Sequence, residues 1–325
     1  MPTRRKKTMA RASFMLTLAA TCLLGCAMAQ SNRNDPPLNL PGTSRLGLPQ
    51  AKTYDLQQAL TRHDYVKAET ILLPEIQTTQ QVESKKRLLE LIGVIYFLDH
   101  DNLNAAIAWK KAEAIAPLPE PLQFSLAMAY VRMGHEDWAK RQLQTLARTY
   151  PKNALYPYWI GRIDYDSHAY EEAIAQFQKA IQLDPGMARA YDNLGLCFFY
   201  RNENPLAIEN FQKAITLDRK AAWPHINLAA VLQVQGHLQE AESNLREAIQ
   251  LEPGIAPAHF QLGNVLNSTG NAQAAIEQYK QAAQLDAKYA EPHFALARLY
   301  RRLGENSLAE QEVQIYSRLH QASAK

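Results

Sequence analysis

A fixed period of 34 residues runs through most of the chain. Each period contains two amphipathic segments joined by a short turn, which predicts two helices per copy. A helical hairpin cannot bury its apolar face alone, so consecutive hairpins are expected to stack on one another. A looser copy begins at Pro49 and predicts a degenerate N-terminal hairpin over residues 52–82. Seven regular copies follow without insertion, at residues 86–119, 120–153, 154–187, 188–221, 222–255, 256–289 and 290–323.

Four positions within each 34-residue copy define the repeat pattern. The twentieth residue is alanine in all eight copies, from Ala68 to Ala309, which predicts a close helix crossing. The eighth residue of the regular copies is glycine or alanine, and we expect it at the same crossing. The twenty-fourth residue is bulky and apolar, and is predicted to fill the space between adjacent hairpins. The fifteenth is histidine, asparagine or glycine, which tolerate the left-handed conformation that such a turn requires.

This spacing resembles that of the tetratricopeptide repeat (TPR) family. The resemblance is close over residues 86–323 and weaker over residues 49–82. In one copy it is carried by Gly161, Ala173 and Phe177, and residues of the same character occupy these offsets in the other regular copies. The resemblance implies an all-α fold, a right-handed α-solenoid of about seven to eight TPR helix hairpins. It also implies a concave face that binds a peptide or protein segment.

Residues 1–29 are typical of an export signal, because basic residues precede an apolar stretch that is too short to span a bilayer. Two cleavage sites fit. The motif Leu-Leu-Gly-Cys ending at Cys26 resembles a bacterial lipoprotein box, in which the cysteine is lipidated and becomes the first mature residue. The motif Ala-Met-Ala ending at Ala29 resembles a signal peptidase I site. We favour the lipoprotein interpretation, with anchoring to a membrane on its periplasmic side, over a soluble periplasmic or secreted protein.

The charge of the chain depends on this segment. The formal net charge is +3, and loss of the five basic residues in residues 1–29 changes it to −2. A near-neutral chain gives no reason to expect a nucleic-acid partner. Residues 30–51 are rich in proline, with asparagine, glycine and serine between, and predict an extended tether. Behind a lipid anchor, such a tether holds the repeats away from the membrane.

The sequence shows no arrangement typical of catalysis or cofactor binding. It has neither a phosphate-binding glycine loop nor a cysteine pair with zinc spacing, and Cys197 is expected to be a small buried apolar residue. His225, His259 and His293 share the fourth position of their copies. Equivalent residues of neighbouring hairpins lie roughly 8–10 Å apart, so one metal ion cannot bind two of them. We therefore expect packing histidines, no metal, no cofactor and no enzymatic activity.

In TPR proteins the first helix of each hairpin supplies most of the concave face. Asn193, Asn227 and Gln261 occupy the sixth position of three consecutive copies. They resemble the asparagine ladder of O-linked N-acetylglucosamine transferases, which holds extended peptide backbones; the lysine and asparagine clamp of chaperone-binding members is absent. The alternative is that these amides only stabilise loops and neighbouring helices. The candidate peptide-binding groove comprises Tyr158, Arg162, Arg189, Asn193, Tyr200, Trp223, Asn227, Gln261 and Asn264.

These features predict a protein–protein interaction scaffold of the bacterial cell envelope whose partner is a protein or extended peptide. A second hypothesis is an accessory module for cell-wall glycan or muropeptides, in which aromatic side chains stack on sugars. A third, an enzyme, requires a convergent acid–base or metal set that the sequence does not show. Tyr316 occupies a position that is usually alanine, and no separate capping helix is predicted after it. The C-terminal helix therefore either caps itself or meets a partner or a second copy.

Overall fold

The structure is a computed structural model that describes residues 46–323. Every regular element in that range is an α-helix, and the predicted all-α fold of stacked hairpins is confirmed. The predicted export signal with Cys26 and most of the predicted tether lie outside the described residues. The helices are α1 (Gln50–Thr61), α2 (Tyr65–Thr78), α3 (Val82–Leu98), α4 (Asn102–Glu113), α5 (Glu120–Arg132), α6 (Glu136–Thr149), α7 (Leu155–Asp166), α8 (Tyr170–Leu183), α9 (Ala188–Tyr200), α10 (Asn204–Leu217), α11 (Ala222–Gln235), α12 (Leu238–Leu251), α13 (Ala256–Ser268), α14 (Ala272–Leu285), α15 (Glu291–Leu303) and α16 (Asn306–Ser323).

The helices pair in chain order into hairpins, each with an odd-numbered first helix and an even-numbered second helix. The turns within the hairpins are so short that paired helices run antiparallel. The chain divides into two compact units, residues 35–184 and residues 185–325, with α1–α8 in one and α9–α16 in the other. Within each unit, the second helix of a hairpin packs against the first helix of the next. No helix in the described part of the chain is both long and apolar enough to cross a membrane.

The turn inside each hairpin contains the left-handed residue that the fifteenth position predicts. In four hairpins that residue is a glycine, with φ between 73° and 88°. In the other four it is His63, His100, His168 or Asn202, with φ between 54° and 64°. The prediction of a left-handed residue is therefore confirmed at all eight turns. The non-glycine residues adopt a conformation that is unfavourable for a side chain with a Cβ atom.

The twentieth-position alanines are completely buried in all eight hairpins, as a close crossing requires. Where the eighth residue is glycine, the atoms nearest to an added Cβ include those of the twenty-fourth residue of the same hairpin. A Cβ atom added to Gly195 lies 2.6 Å from Phe211, and one added to Gly93 lies 2.4 Å from Trp109. At the eighth position, the glycine thus makes room for a ring on the partner helix, a contact that the sequence did not predict.

The eighth and twenty-fourth positions also match in size along the chain. An aromatic residue is present at the twenty-fourth position in every regular copy that has glycine at the eighth. The copies with alanine at the eighth position have leucine or valine instead, as in the pair Ala229 and Leu245. The matched sizes indicate that each hairpin keeps a constant volume where its two helices meet.

In the last hairpin, aromatic side chains join the two helices. Tyr316 of α16 lies against Phe294 of α15, with ring centroids 5.2 Å apart, and stacks on His320 at 5.6 Å. The tyrosine at this position therefore fills space beside the first helix of its own hairpin. Val313 and Leu319, on the same helix, are half-buried.

Candidate functional site

Two of the predicted groove residues, Tyr158 and Arg162, lie on α7 in the unit of residues 35–184, and both are buried. The Tyr158 ring packs 5.9 Å from Phe177 between centroids. The side chain of Arg162 is 4% exposed, and its Nη2 lies 3.5 Å from Oδ1 of Asp166. Burial raises the pKa of the Asp166 carboxyl group, and the Arg162 charge opposes that rise. Arg162 is thus a buried cation at the end of a first helix, with a carboxylate beside it.

Two polar contacts that the sequence did not predict hold α7 in place. Asp164 is buried and forms an ion pair with Lys140 of α6. The Tyr156 hydroxyl donates to Glu120 of α5, and burial together with this carboxylate raises the pKa of the phenol. The sequence signal for both contacts is weak, because the two partners of each contact belong to different copies of the repeat.

The three amides of the predicted ladder lie at equivalent points of α9, α11 and α13, within the unit of residues 185–325. Asn193 is 0%, Asn227 1% and Gln261 4% exposed. Asn193 donates from Nδ2 to the carbonyl of Arg189 at 2.7 Å, and Asn227 donates from Nδ2 to Oδ1 of Asp192 at 2.9 Å. Oδ1 of Asn227 and both polar side-chain atoms of Gln261 have no hydrogen-bond partner within the described part of the chain.

The remaining predicted groove residues of this unit are partly accessible. Arg189, Tyr200, Trp223 and Asn264 are all half-buried. Asn264 accepts a hydrogen bond from the hydroxyl of Tyr279 at 2.9 Å. The predicted groove residues of this unit therefore combine amides, aromatic rings and one arginine, a composition suited to a peptide.

A further group next to these residues consists of arginines on α15. Arg302 donates from Nη2 to Oδ1 of Asn267 at 2.5 Å. Arg298 and Arg302 also lie close enough to Tyr279 to favour its ionised form, although burial raises the pKa of that phenol. A run of arginines at the ninth, twelfth and thirteenth positions of the last copy is the sequence signal for this group.

The three fourth-position histidines each contact the second helix of their own hairpin through Nδ1. The partners, each 19 residues further along the chain, are Asn244 for His225 at 3.0 Å, Gln278 for His259 at 2.8 Å and Glu312 for His293 at 2.6 Å. Residues 46–323 contain no group of three or more acidic, histidine or cysteine side chains that could hold a metal ion. The histidine contacts link the two helices of each hairpin. Cys197 is buried in the same unit, as expected.

The family model described as TPR repeat matches residues 161–199, 195–236 and 263–304. No curated protein matches the chain. Among solved structures, a tetratricopeptide repeat protein from Parabacteroides merdae is 16% identical and has a TM-score of 0.63, covering 77% of this chain and 97% of that one. The Cut9–Hcn1 hetero-tetramer of APC/C is 16% identical with a TM-score of 0.60, over 81% of this chain and 52% of that one. PilW, a type IV pilus biogenesis factor, is 20% identical with a TM-score of 0.56, over 61% and 92%.

At these identities the solved structures show a common fold and nothing about partners. Their likeness agrees with the repeat match and with the geometry of the hairpins, namely the left-handed turn residues and the buried alanine crossings. On this evidence the chain contains tetratricopeptide repeats, and its helices form an α-solenoid of TPR hairpins.

Proposed function

We propose that the chain is a non-enzymatic interaction protein of the bacterial cell envelope that binds an extended protein segment along its first helices. The observation that carries this proposal is the row of amides Asn193, Asn227 and Gln261, in which part of the hydrogen-bonding capacity is unused. A TPR array is a protein-interaction module. The amide row adds a physical reason why the partner is an extended backbone.

A primary amide carries both a donor and an acceptor, so it can form hydrogen bonds with a peptide unit of the ligand whatever side chain that unit carries. A buried polar atom that lacks a partner costs about 1–3 kcal/mol. Once the neighbouring side chains that bury these atoms move aside, Oδ1 of Asn227 can accept from a backbone N–H, and Gln261 can both donate to and accept from one peptide unit. The half-buried rings of Tyr200 and Trp223 supply apolar surface for side chains of the segment.

The test uses Gln261→Leu in the full chain. This change removes two buried polar atoms that have no partner, so we expect the melting temperature to rise. The same change should weaken binding of an extended peptide about tenfold, since a tenfold loss corresponds to the roughly 1.4 kcal/mol of one hydrogen bond. Candidate ligands are overlapping peptides of envelope proteins, titrated by fluorescence anisotropy. Gln239→Leu, at an exposed position of α12, is the matched control and should leave both quantities unchanged.

A purely structural amide cannot give these opposite signs. Unaltered peptide affinity in Gln261→Leu would show that the ligand does not use the amide row. Titration of muropeptides under the same conditions tests the second hypothesis, and binding of muropeptides without binding of peptides would favour the cell-wall module.

The envelope location is part of the proposal, and it rests on the sequence of residues 1–29 with the lipoprotein box at Cys26. The change Cys26→Ser should release the protein from membranes and abolish incorporation of labelled fatty acid. An unmodified mature N-terminus at Gln30 in the wild-type protein would contradict lipidation and favour signal peptidase I cleavage.

A further inference from the structure

The second helices of the first two hairpins, α2 and α4, each expose a pair of aliphatic side chains along one face. Val66 and Leu103 occupy the eighteenth position of their copies, which is aspartate, glutamate, proline, glutamine or serine in the other six. Leu73 lies two helical turns from Val66, and Ile107 lies one turn from Leu103. The exposed fractions are 70% for Val66, 37% for Leu73, 60% for Leu103 and 41% for Ile107.

The charges of the same two helices favour an anionic neighbour. Their exposed charged residues are all lysines, namely Lys67, Lys110 and Lys111. Their acidic residues are half-buried and engaged, Glu69 by the hydroxyl of Tyr96 at 2.7 Å, Glu75 by Lys52 at 2.5 Å and Glu113 by Lys110 at 2.5 Å. Asp64, just before α2, caps that helix by accepting from the backbone N–H of Lys67. Each of the other six second helices exposes at least one aspartate or glutamate.

We propose that these side chains form a membrane-contacting surface, the α2–α4 face, which lies on an anionic lipid surface and orients the first two hairpins there. The face comprises Val66, Lys67, Leu73, Leu103, Ile107, Lys110 and Lys111. Equivalent residues of neighbouring hairpins lie roughly 8–10 Å apart, so the two aliphatic pairs belong to one patch. Exposed apolar side chains flanked by lysines suit the boundary between acyl chains and anionic headgroups.

The predicted lipid anchor gives the reason why a membrane is the occupant of this face. The inference rests in this respect on the proposed function, because Cys26 is 20 residues before Leu46. Leu46 is buried in the core of the first hairpin. A chain of 20 residues spans roughly 25 Å when flexible and about 60 Å when extended. Such a chain can hold the repeats away from the membrane, and it is equally long enough to let the first two hairpins lie on it.

The anchor also determines how strong the contact must be. Three lysines are too few to bind a membrane by charge alone, since segments that do so carry clusters of roughly 4–8 basic residues. A short tether, however, gives the attached surface an effective concentration of roughly millimolar, so a contact of millimolar affinity is already populated. The α2–α4 face is therefore expected to orient a protein that the anchor retains, rather than to recruit it.

The test uses the full chain as isolated from membranes and reconstituted in vesicles of phosphatidylethanolamine and phosphatidylglycerol. Thr70, exposed on α2 between Val66 and Leu73, is changed to cysteine and labelled with an environment-sensitive fluorophore. Quenching by brominated phospholipid then reports contact of the label with acyl chains. Ala175→Cys is the matched control, because Ala175 is exposed at the equivalent position of α8. We expect quenching at position 70 and none at position 175.

Substitutions in the Thr70→Cys protein then test the aliphatic side chains themselves. The double change Leu103→Gln with Ile107→Gln should lower the equilibrium constant for docking on the membrane about tenfold, since it removes two apolar side chains from the contact. Leu206→Gln with Leu308→Gln removes two exposed leucines from α10 and α16 and should leave the quenching unchanged.

The outcomes separate this inference from the proposed function. Protein that floats with the vesicles but shows equal quenching at both positions, or none at position 70, overturns the membrane contact and leaves the anchor intact. Quenching that survives the Leu103 and Ile107 changes also overturns it. Protein that does not float counts against the anchor; a polyhistidine segment before Gln30 and a nickel-chelating lipid then replace it, and the same comparison decides the contact. Cross-linking from position 70 to another envelope protein, without quenching by lipid, would assign the face to a protein partner.

Discussion

The pairing of the eighth and twenty-fourth positions gives a quantitative prediction about hairpin stability. Gly195 of α9 faces Phe211 of α10, and an added Cβ lies 2.6, 2.8 and 3.0 Å from three atoms of the ring. Carbon atoms in good contact are about 3.5–4.0 Å apart. The ring must therefore move by about 1 Å to accept a methyl group. Phe211 is completely buried, so such a movement disturbs its other neighbours.

Two opposite contributions determine the effect of Gly195→Ala. Alanine favours the helix over glycine by about 1 kcal/mol. Overpacking of a well-filled core costs about 1–3 kcal/mol. With the Cβ this close to the ring, we expect a net loss of about 1–2 kcal/mol in the free energy of unfolding. The change Phe211→Leu alone leaves a void beside the glycine and should cost a similar amount.

The decisive measurement is a double-mutant cycle, followed by urea unfolding with circular dichroism. The double change Gly195→Ala with Phe211→Leu creates the alanine–leucine pair that Ala229 and Leu245 already form in the next hairpin. We expect each change to offset the other, with a coupling free energy of about 1–2 kcal/mol. Gly254→Ala is the control, because no atom lies within 4 Å of its added Cβ. Additive effects of the two changes would refute the proposed pairing.

Three further predictions concern the repeats and their turns. Ala207→Leu should lower the free energy of unfolding by about 1–3 kcal/mol through overpacking at a fully buried crossing. Gln212→Leu, on the exposed face of the same helix, should change it little. Equal urea midpoints for the two variants would contradict the repeat register. His168→Gly should stabilise the protein by up to about 1 kcal/mol, because His168 has φ 61° and glycine adopts that conformation without strain. Thermal unfolding measures the effect, and a lower melting temperature would show that the imidazole makes a stabilising contact. His100→Gly should behave in the same way, since its φ is 64°.

The helical framework was predictable because each of its key positions is determined by local chemistry. A residue that tolerates positive φ is needed wherever two helices meet in a short turn, and the fifteenth position supplies one in every copy. An alanine is needed wherever two helix backbones approach closely, and the twentieth position supplies it. Because these requirements recur every 34 residues, comparing the copies within this one sequence is enough to find them.

The contact between the eighth and twenty-fourth positions was not predicted, although both positions were identified. Each position alone is explained by a general preference, glycine for close approach and a bulky residue for filling space. Their partnership depends on how two helices of one hairpin are rotated towards each other, which periodicity does not specify. It is visible in the sequence only when the copies are compared, since Gly263 accompanies Tyr279 as Gly195 accompanies Phe211.

The amide row shows a second limit of periodicity, and this limit bears on function. Asn193, Asn227 and Gln261 are equivalent in sequence, yet they differ in the contacts they make. The Nδ2 group of Asn193 is engaged by a backbone carbonyl and that of Asn227 by Asp192, whereas Gln261 has no partner among the described residues. Because an amide already engaged has less to offer a ligand, the gain on binding should increase from α9 towards α13. A segment bound along these helices should therefore be held most tightly at α13, and truncating the part of the segment that lies on α13 should cost more affinity than truncating the part that lies on α9.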